Sequence, residues 1–359
     1  MKKNVFFCIC LIFFSILSCN EKKEVNTDDD EFNDVNTPCK ILNYEKVLFP
    51  DDLEFMDSRY YVCNDTILLV LHDKKPDPYY LSVVNLNNFE VINRMFYRDN
   101  SPKGLLSASV SIDCNNVCIE DGIRKCVARI PIELLLQLDF QYPNFVEIDA
   151  FYNGFNWVDD TTIVCTNCLY FNDFGLDKEM KELFYLDITG TFRENYLQKS
   201  DGVFAADYSG GVIASNPSKH KFYYAKSCRP QIVLFENCEE KKKINGPDKD
   251  DSQFEIGIGN RVWFKDNMNL YYSLYFADEN NVFFANERVH RSVKSRDFNF
   301  DKEEIIRLDW DGNVIARYCL KDQLKQINAI SYSEKLNSLY ISTYDENDER
   351  VLYKAVISD

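Results

Sequence analysis

From residue 40 onward, short apolar runs alternate with polar turns, and the 3.6-residue spacing of amphipathic helices is rare. The runs are rich in β-branched, aromatic and aliphatic side chains, and Asn, Asp and Gly stand between them. Such runs form β-strands because these side chains pack well on a pleated surface, while Asn, Asp and Gly accept the backbone angles of turns. The pattern predicts an all-β domain over residues 40–359.

One unit, a polar turn followed by an apolar strand, occurs six times. Its starts are Asn64, Asn115, Asp159, Ser209, Asn280 and Lys335. The first and last turns lie near residues 65 and 337, so the five intervals average about 54 residues, somewhat more than the roughly 40–50 residues of a propeller blade. The repeat predicts a six-bladed β-propeller, and a pair of β-sandwiches is the alternative fold.

The two ends of this repeat region are expected to pair. The last unit, residues 329–357, lacks an outer strand, and a strand-like segment over residues 41–48 precedes the first unit. Pairing of these N- and C-terminal strands is predicted to close the ring of blades.

The first residues of the chain predict export. Lys2 and Lys3 precede an apolar run over residues 5–17, which is shorter than the roughly 20 residues of a membrane-spanning helix and suits the core of a signal peptide. Ile16-Leu17-Ser18-Cys19 resembles the lipobox of bacterial lipoproteins, and an ordinary signal peptide is the alternative. We expect a signal peptide over 1–18, lipid attachment at Cys19, and a polar disordered tether over 19–39.

The residue after Cys19 indicates which membrane holds the lipid anchor. Many lipoproteins that stay at the inner membrane have Asp there, whereas this chain has Asn20. The resemblance therefore implies lipid anchoring in the outer membrane, on its periplasmic or cell-surface side. No other apolar stretch reaches the length of a spanning helix.

The chain resembles the TolB-like six-bladed β-propeller lipoproteins of Bacteroides-type bacteria. The resemblance rests on Cys19 with its polar tether, on segments 65–70 and 80–86, and on segments 305–313 and 339–342. Residues 98–104 keep the Pro and Gly of a turn found in those relatives, without its acidic residue. The resemblance implies the propeller fold and the envelope location, and it implies no particular activity.

Composition narrows the range of partners. The 359 residues carry 58 acidic and 41 basic side chains, a net charge of −17, so no nucleic-acid partner is expected, because phosphate contacts need clustered Lys and Arg. The 27 Phe, 22 Tyr and 12 Gly exclude a collagen-like or wholly disordered chain. We expect a monomer that is held at the membrane by its lipid and has a protein or a glycan as partner.

Local motifs for catalysis or metal binding are missing from the sequence, and no cofactor is expected. No G-x-S-x-G turn is present, and His72, His220 and His290 lie far apart. Cys165 and Cys168 form the one C-x-x-C pair, without the second pair or nearby His of a zinc site. This pair is interpreted as structural or incidental, and a disulfide or metal role is the alternative. Ten cysteines remain besides Cys19 and those of the signal peptide, an even number that permits disulfides but leaves their pairing open.

Two loops are predicted as contact surfaces. The first concentrates positive charge in an acidic chain and suits an anion or a partner protein; a solvated loop that balances nearby acids is the alternative. Its contact residues are Arg288, His290, Arg291, Lys294 and Arg296. The second loop is aromatic and suits stacking on a sugar or peptide, with core packing as the alternative. Its contact residues are Tyr152, Phe155 and Trp157.

These features predict a lipid-anchored outer-membrane propeller that acts as a binding or scaffold module through loops at one end of the ring. The alternative is a calcium-dependent hydrolase of the propeller lactonase type. Those enzymes hold a central calcium ion through Asp, Asn and Glu side chains that several blades contribute singly, so they leave no local motif. Calcium is expected only under that alternative, and no catalytic residue is assigned.

Overall fold

The computed structural model describes sixteen stretches of the chain. They are residues 37–50, 58–63, 65–72, 77–101, 104–137, 142–148, 152–167, 183–191, 211–227, 229–246, 254–256, 262–264, 267–292, 298–300, 303–321 and 326–357. Only the backbone is described for residues 152–153, 167, 254–256, 262–264, 267–270, 288–292 and 298–300. Cys19, the predicted signal peptide and most of the predicted tether lie outside the described residues.

Most of the described residues lie in β-strands, and almost none lie in helices. In chain order the strands are β1 (Cys39–Leu42), β2 (Tyr44–Lys46), β3 (Ser58–Cys63), β4 (Ile67–His72), β5 (Tyr79–Asn85), β6 (Val91–Tyr97), β7 (Ala108–Asp113), β8 (Asn116–Asp121), β9 (Cys126–Pro131), β10 (Val146–Glu147), β11 (Tyr152–Trp157), β12 (Thr162–Asn167), β13 (Leu183–Asp187), β14 (Gly211–Asn216), β15 (Lys221–Lys226), β16 (Gln231–Glu236), β17 (Glu239–Asn245), β18 (Phe254–Ile256), β19 (Val262–Phe264), β20 (Asn267–Ala277), β21 (Asn281–Ser292), β22 (Phe298–Phe300), β23 (Glu304–Asp309), β24 (Val314–Leu320), β25 (Ala329–Ser333), β26 (Ser338–Tyr344) and β27 (Arg350–Val356). A short α-helix, α1 (Ile132–Leu135), follows β9, and one turn of 3-10 helix (Pro217–Lys219) follows β14. This confirms the all-β prediction.

Four separate sheets have the form of propeller blades. Three contain four strands, in the orders β3-β4-β5-β6, β14-β15-β16-β17 and β2-β27-β26-β25, and one contains three, β11-β12-β13. Strands that follow one another in the chain pair antiparallel through short turns within these sheets. The arrangement is propeller-like.

The remaining strands depart from the six-bladed prediction. A ten-stranded sheet runs β1-β24-β23-β21-β20-β7-β8-β9-β10, with β22 on β21, and β18 pairs with β19 in a separate hairpin. Within the large sheet, β20 and β7 are joined by a single parallel pair, Ala277 with Asp113. Because this pair fuses two series of strands, the described chain has four separate blades rather than six and forms no closed ring.

The N-terminal segment connects two sheets. As predicted, it gives the last sheet an outer strand, since Tyr44 of β2 pairs with Ala355 of β27. The preceding strand β1 pairs in parallel with β24 of the ten-stranded sheet. A disulfide between Cys39 and Cys319 fixes β1 there, with the two Cα atoms 5.7 Å apart. The two chain ends thus pair, without closing a ring.

Burial on both faces explains the continuous apolar runs in the sequence. All six residues of β4 are buried, because this strand has a paired neighbour on each side and other layers pack above and below it. The polar turns between strands adopt the expected angles: Asn115 and Asn337 have positive φ, as does Gly312 in the Asp311-Gly312 hairpin. Among the described residues, no helix is long and apolar enough to cross a membrane.

Candidate functional site

A cavity of about 190 Å³, partly open to solvent, lies where the first strands of several sheets approach one another. Its walls come from β3, β7, β8, β11, β14, β20 and β25. The polar side chains that line it are Arg59, Ser109, Ser111, Glu120, Ser273 and Tyr275. This is the candidate functional site, and it is called the central cavity below.

The alternation of side chains along a strand places polar groups at the central cavity. Successive side chains of a strand point to opposite faces, so Ser109, Ser111 and Asp113 share one face of β7. A glycine also shapes the cavity wall, because a Cβ atom at Gly154 of β11 would lie 2.8 Å from the carbonyl oxygen of Gly211 on β14. Glycine therefore allows these two strands to approach closely.

Hydroxyl groups of the cavity wall donate to carboxylates behind or beside it. Ser109 Oγ donates to Glu120 at 2.8 Å, Tyr275 OH donates to Asp113 at 2.8 Å, and Ser273 Oγ donates to Glu287 at 2.7 Å. A hydroxyl has a single proton. Once that proton is given to a carboxylate, the hydroxyl can only accept a hydrogen bond from a molecule in the cavity.

Asp113 is the centre of a buried hydrogen-bond network. Asn156 Nδ2 donates to Asp113 Oδ2 at 2.6 Å, and the Ser215 backbone N–H donates to Oδ1 at 3.0 Å. With Tyr275, these groups join β7, β11, β14 and β20 around one carboxyl. Burial raises the pKa of Asp113 to about 6, although the hydrogen bonds from Ser215, Asn156 and Tyr275 oppose that rise.

Glu287 is a second buried carboxyl at the same centre. Its carboxylate accepts a hydrogen bond from the Ile327 backbone N–H at 2.8 Å, in addition to the one from Ser273 Oγ. Burial raises its pKa, and the two hydrogen bonds oppose the change. Arg59 is the one cationic side chain among the described residues that line the cavity. The charge of Arg129 also acts on Asp113 and lowers its pKa. The three carboxyl groups of Asp113, Glu120 and Glu287 therefore outnumber the two guanidinium groups of Arg59 and Arg129.

Cys118, Cys165 and His72 have surroundings that are typical of structural residues. Cys118 lines the cavity, but burial raises its pKa well above the ordinary value, so it stays protonated and poorly nucleophilic. Cys165 of the C-x-x-C pair is buried among apolar side chains, and Cys168 lies outside the described residues. His72 lies between two hydroxyls, with Nδ1 3.0 Å from Ser58 Oγ and Nε2 2.8 Å from Ser82 Oγ.

The structure places the predicted basic contact segment in a strand, so the loop prediction was wrong here. Arg288, His290 and Arg291 belong to β21, which pairs with β20 on one side and β22 on the other. Backbone pairing in this long hairpin needs no apolar side chains, so the polar sequence concealed the strand. Lys294 and Arg296 lie outside the described residues.

The predicted aromatic contact segment is also a strand, β11, and Tyr152 is its first residue. Phe155 and Trp157 are buried, and their rings meet edge to face at 5.7 Å within an apolar cluster. Phe155 lines the central cavity. This position matches the core-packing alternative for Trp157 and brings Phe155 to the candidate site.

Sequence reasoning missed the other cavity residues, because each strand contributes only one or two of them. Arg59, Ser109, Ser273 and Tyr275 form no motif, and they lie up to 216 residues apart in the chain. The one available signal was the presence of polar side chains inside otherwise apolar strands, as in Ala108–Asp113.

A calcium site of the lactonase type would need several oxygen ligands to converge. Among the described residues, no group of three or more His, Cys, Asp or Glu side chains is placed to hold a metal ion. Asp113 and Glu287 instead face neutral hydrogen-bond donors.

Comparison with known proteins gives structural likeness alone. No family model and no curated protein matches the chain. A member of the DUF4221 family from Bacteroides vulgatus is 11 % identical with a TM-score of 0.49, over 89 % of this chain and 98 % of that one. A candidate exported protein from Bacteroides fragilis is 12 % identical with a TM-score of 0.48, over 89 % and 95 %. Raptor from Chaetomium thermophilum is 8 % identical with a TM-score of 0.41, over 85 % and 28 %. With TM-scores below 0.5, none of these likenesses indicates what the chain binds.

Proposed function

We propose that the protein is a lipid-anchored binding module of the cell envelope that holds a small polar molecule in its central cavity. The observation that carries this proposal is the convergence of polar side chains from several strands on one void. Arg59, Glu120 and Tyr275 come from three distant parts of the chain and line the same space of about 190 Å³. A packed propeller core has no need of such groups, whereas ligand sites combine an apolar wall with a few polar groups.

The cavity is suited to binding rather than to chemistry. Its described thiol is held protonated by burial, and the hydroxyls of Ser109, Ser273 and Tyr275 donate to carboxyl groups rather than to a histidine base. The general base that activates a nucleophile is most often histidine, and among the described residues that line the cavity there is no histidine. No specific observation favours the hydrolase alternative.

Two observations support the proposed cellular location. They are the lipobox at Cys19 and the disulfide between Cys39 and Cys319. Disulfides persist in exported proteins and are rare in the cytosol. We propose outer-membrane anchoring through the lipid on Cys19, with the predicted basic segment retained as a candidate contact for a protein or glycan partner. Phe155 and Trp157 are buried, so the aromatic segment is not retained as such a contact.

A ligand screen tests the cavity. The full chain, extracted from membranes in detergent, is scanned for a rise in melting temperature with ethylene glycol, glycolate, glycine and ethanolamine as probes. A bound molecule stabilises the folded state in proportion to the logarithm of its concentration. We expect at least one probe to raise the melting temperature in this way.

Two matched variants locate the effect. Val212→Phe fills the cavity, because Val212 lines it, and should abolish the shift. Ile315→Phe introduces the same side chain at a position that is 46 % exposed on β24 and should keep the shift. No shift with any probe, or a shift that survives Val212→Phe, would refute cavity binding.

The lipid anchor is tested separately by metabolic labelling with an alkyne fatty acid. Wild type and Cys8→Ala, which changes a cysteine of the predicted signal peptide, should be labelled and sediment with membranes. Cys19→Ala should lose the label and the membrane attachment. Label retained in Cys19→Ala would show that the lipobox assignment is incorrect.

A further inference from the structure

We infer that the central cavity takes a small organic ammonium cation, such as a short primary amine. The inference rests on the proposed binding function and adds the chemical class of the ligand. It comes from the direction of the hydrogen bonds around the cavity and from the balance of charge there, both of which are read from the described residues.

The wall of the cavity offers acceptors. Ser109, Ser273 and Tyr275 give their protons to carboxylates, and Tyr61 OH gives its proton to the Val110 carbonyl oxygen at 3.2 Å. The Tyr275 oxygen already accepts a hydrogen bond from Asn156 Nδ2 at 3.0 Å, so the acceptors that the wall offers a ligand are the hydroxyl oxygens of Ser109 and Ser273. An ammonium group carries three donors and no acceptor, so it complements this wall, whereas a carboxylate would meet acceptors it cannot use.

Charge favours the same ligand. Asp113 and Glu287 are buried, and their donors within the described chain are neutral. Glu120 lines the cavity itself. The charge of Arg129 already favours the ionised form of Asp113. A buried carboxylate that only neutral groups contact is costly, so a positive ligand beside Glu120 and Ser273 lowers the free energy of the Glu120 and Glu287 carboxylates.

An organic cation fits better than a metal ion. Metal ions such as calcium bind carboxylate oxygens directly, and here serine and tyrosine hydroxyls stand between the cavity and two of the three carboxyls. Apolar side chains, among them Val110, Phe155 and Leu274, complete the wall and can pack against a short alkyl chain. The volume of 190 Å³ corresponds to about six water molecules at roughly 30 Å³ each, enough for a molecule of a few heavy atoms.

The test compares ligands that differ in one group. Ethanolamine, ethylene glycol and glycolate share a two-carbon frame and carry an ammonium, a hydroxyl and a carboxylate, and their binding to the full chain is measured by calorimetry at fixed ionic strength. We expect ethanolamine to bind about tenfold more tightly than ethylene glycol, the effect expected of one favourable charge interaction. Glycolate, sodium, potassium and calcium ions should not compete with it.

Charge variants sharpen the test. Glu120→Gln keeps the size of the side chain and should weaken ethanolamine binding about tenfold, whereas Arg59→Gln removes a like charge and should strengthen it about threefold. Glu239→Gln, on the exposed strand β17, is the control and should leave affinity unchanged. Unchanged ethanolamine affinity in Glu120→Gln would count against the ammonium assignment.

The outcomes separate the two proposals. If ethylene glycol or glycolate binds as tightly as ethanolamine and Val212→Phe abolishes that binding, the cavity is a binding site and the ammonium class is wrong. Competition by sodium, potassium or calcium ions would likewise overturn the class and leave the site standing. If neither the three organic probes nor glycine binds, or if Val212→Phe leaves binding intact, the proposed function itself fails.

Discussion

The sheets of this protein are joined in different ways at the rim, meaning β1, β2, β24 and β27, and at the centre, meaning Asp113 and its hydrogen-bond partners. At the rim, one N-terminal segment pairs with β24 through β1 and with β27 through β2, and the Cys39–Cys319 disulfide fastens it. At the centre, Asp113 collects hydrogen bonds from Asn156, Ser215 and Tyr275. The rim depends chiefly on backbone pairing and a covalent bond, beside a hydrogen bond from Arg317 Nη1 to the Thr37 carbonyl oxygen, whereas the centre depends on particular side chains.

The two regions should therefore respond to different conditions. Backbone pairing is largely indifferent to pH, and a disulfide is sensitive to reductants. A buried carboxyl that is held by neutral donors is sensitive to protonation and indifferent to reductants. The change in unfolding free energy with added reductant therefore reports on the rim, and its change with pH reports on the centre.

The largest effect is expected at the rim. The Cys39–Cys319 disulfide joins residues separated by 280 positions, and cross-links over long loops restrict the unfolded chain most. Cys39→Ser and Cys319→Ser should each lower the free energy of unfolding by about 4 kcal/mol, as measured by urea denaturation. Dithiothreitol should destabilise wild type by a similar amount and should leave a chain with both substitutions unchanged. Equal unfolding midpoints with and without dithiothreitol in wild type would contradict this account.

A smaller, pH-dependent effect is expected at the centre. The pKa of Asp113 is about 6 in the folded protein against an ordinary value of 3.8. The folded state therefore keeps this proton between about pH 4 and pH 6, where the unfolded chain has released it. Ionisation of this carboxyl makes folding less favourable as pH rises through that window, by about 3 kcal/mol in total.

Asp113→Asn should remove this pH dependence. Asparagine has nearly the same size and does not ionise, so the slope of unfolding free energy against pH between 4 and 6 should differ between wild type and variant by this contribution. Denaturation curves at several pH values measure the slope whatever the variant does to absolute stability. Parallel pH profiles for the two proteins would show that Asp113 does not titrate in the folded state.

Local features of the fold could be predicted from the sequence. Each of the six repeat starts leads into a strand, for example β4 at Ile67, β8 at Asn116 and β26 at Ser338, because turn residues and apolar runs act over a few neighbouring positions. The outer strand that the N-terminal segment adds to the last sheet could be predicted too, since that unit lacked one. These features depend on local propensity and on a count of strands.

The joining of sheets and the composition of the cavity could not be predicted. One backbone pair, Ala277 with Asp113, fuses two series of strands, and no pattern in either strand signals it. The polar groups of the cavity come singly from distant strands, and a lone Ser273 in an apolar run is indistinguishable in sequence from a surface serine. Such contacts exist only once the chain has folded.

The smallest effect is expected for a surface ion pair at the rim. Lys46 Nζ lies 3.2 Å from Asp345 Oδ2, with the lysine side chain 45 % exposed, so solvent screens the attraction. A double-mutant cycle with Lys46→Ala and Asp345→Ala should give a coupling below about 1 kcal/mol, and 1 M salt should reduce it further because the screening length falls to about 3 Å. A coupling of about 2 kcal/mol or more that persists in 1 M salt would mean that the rim, like the centre, depends on specific charged side chains, and the contrast between the two regions would then rest on the disulfide alone.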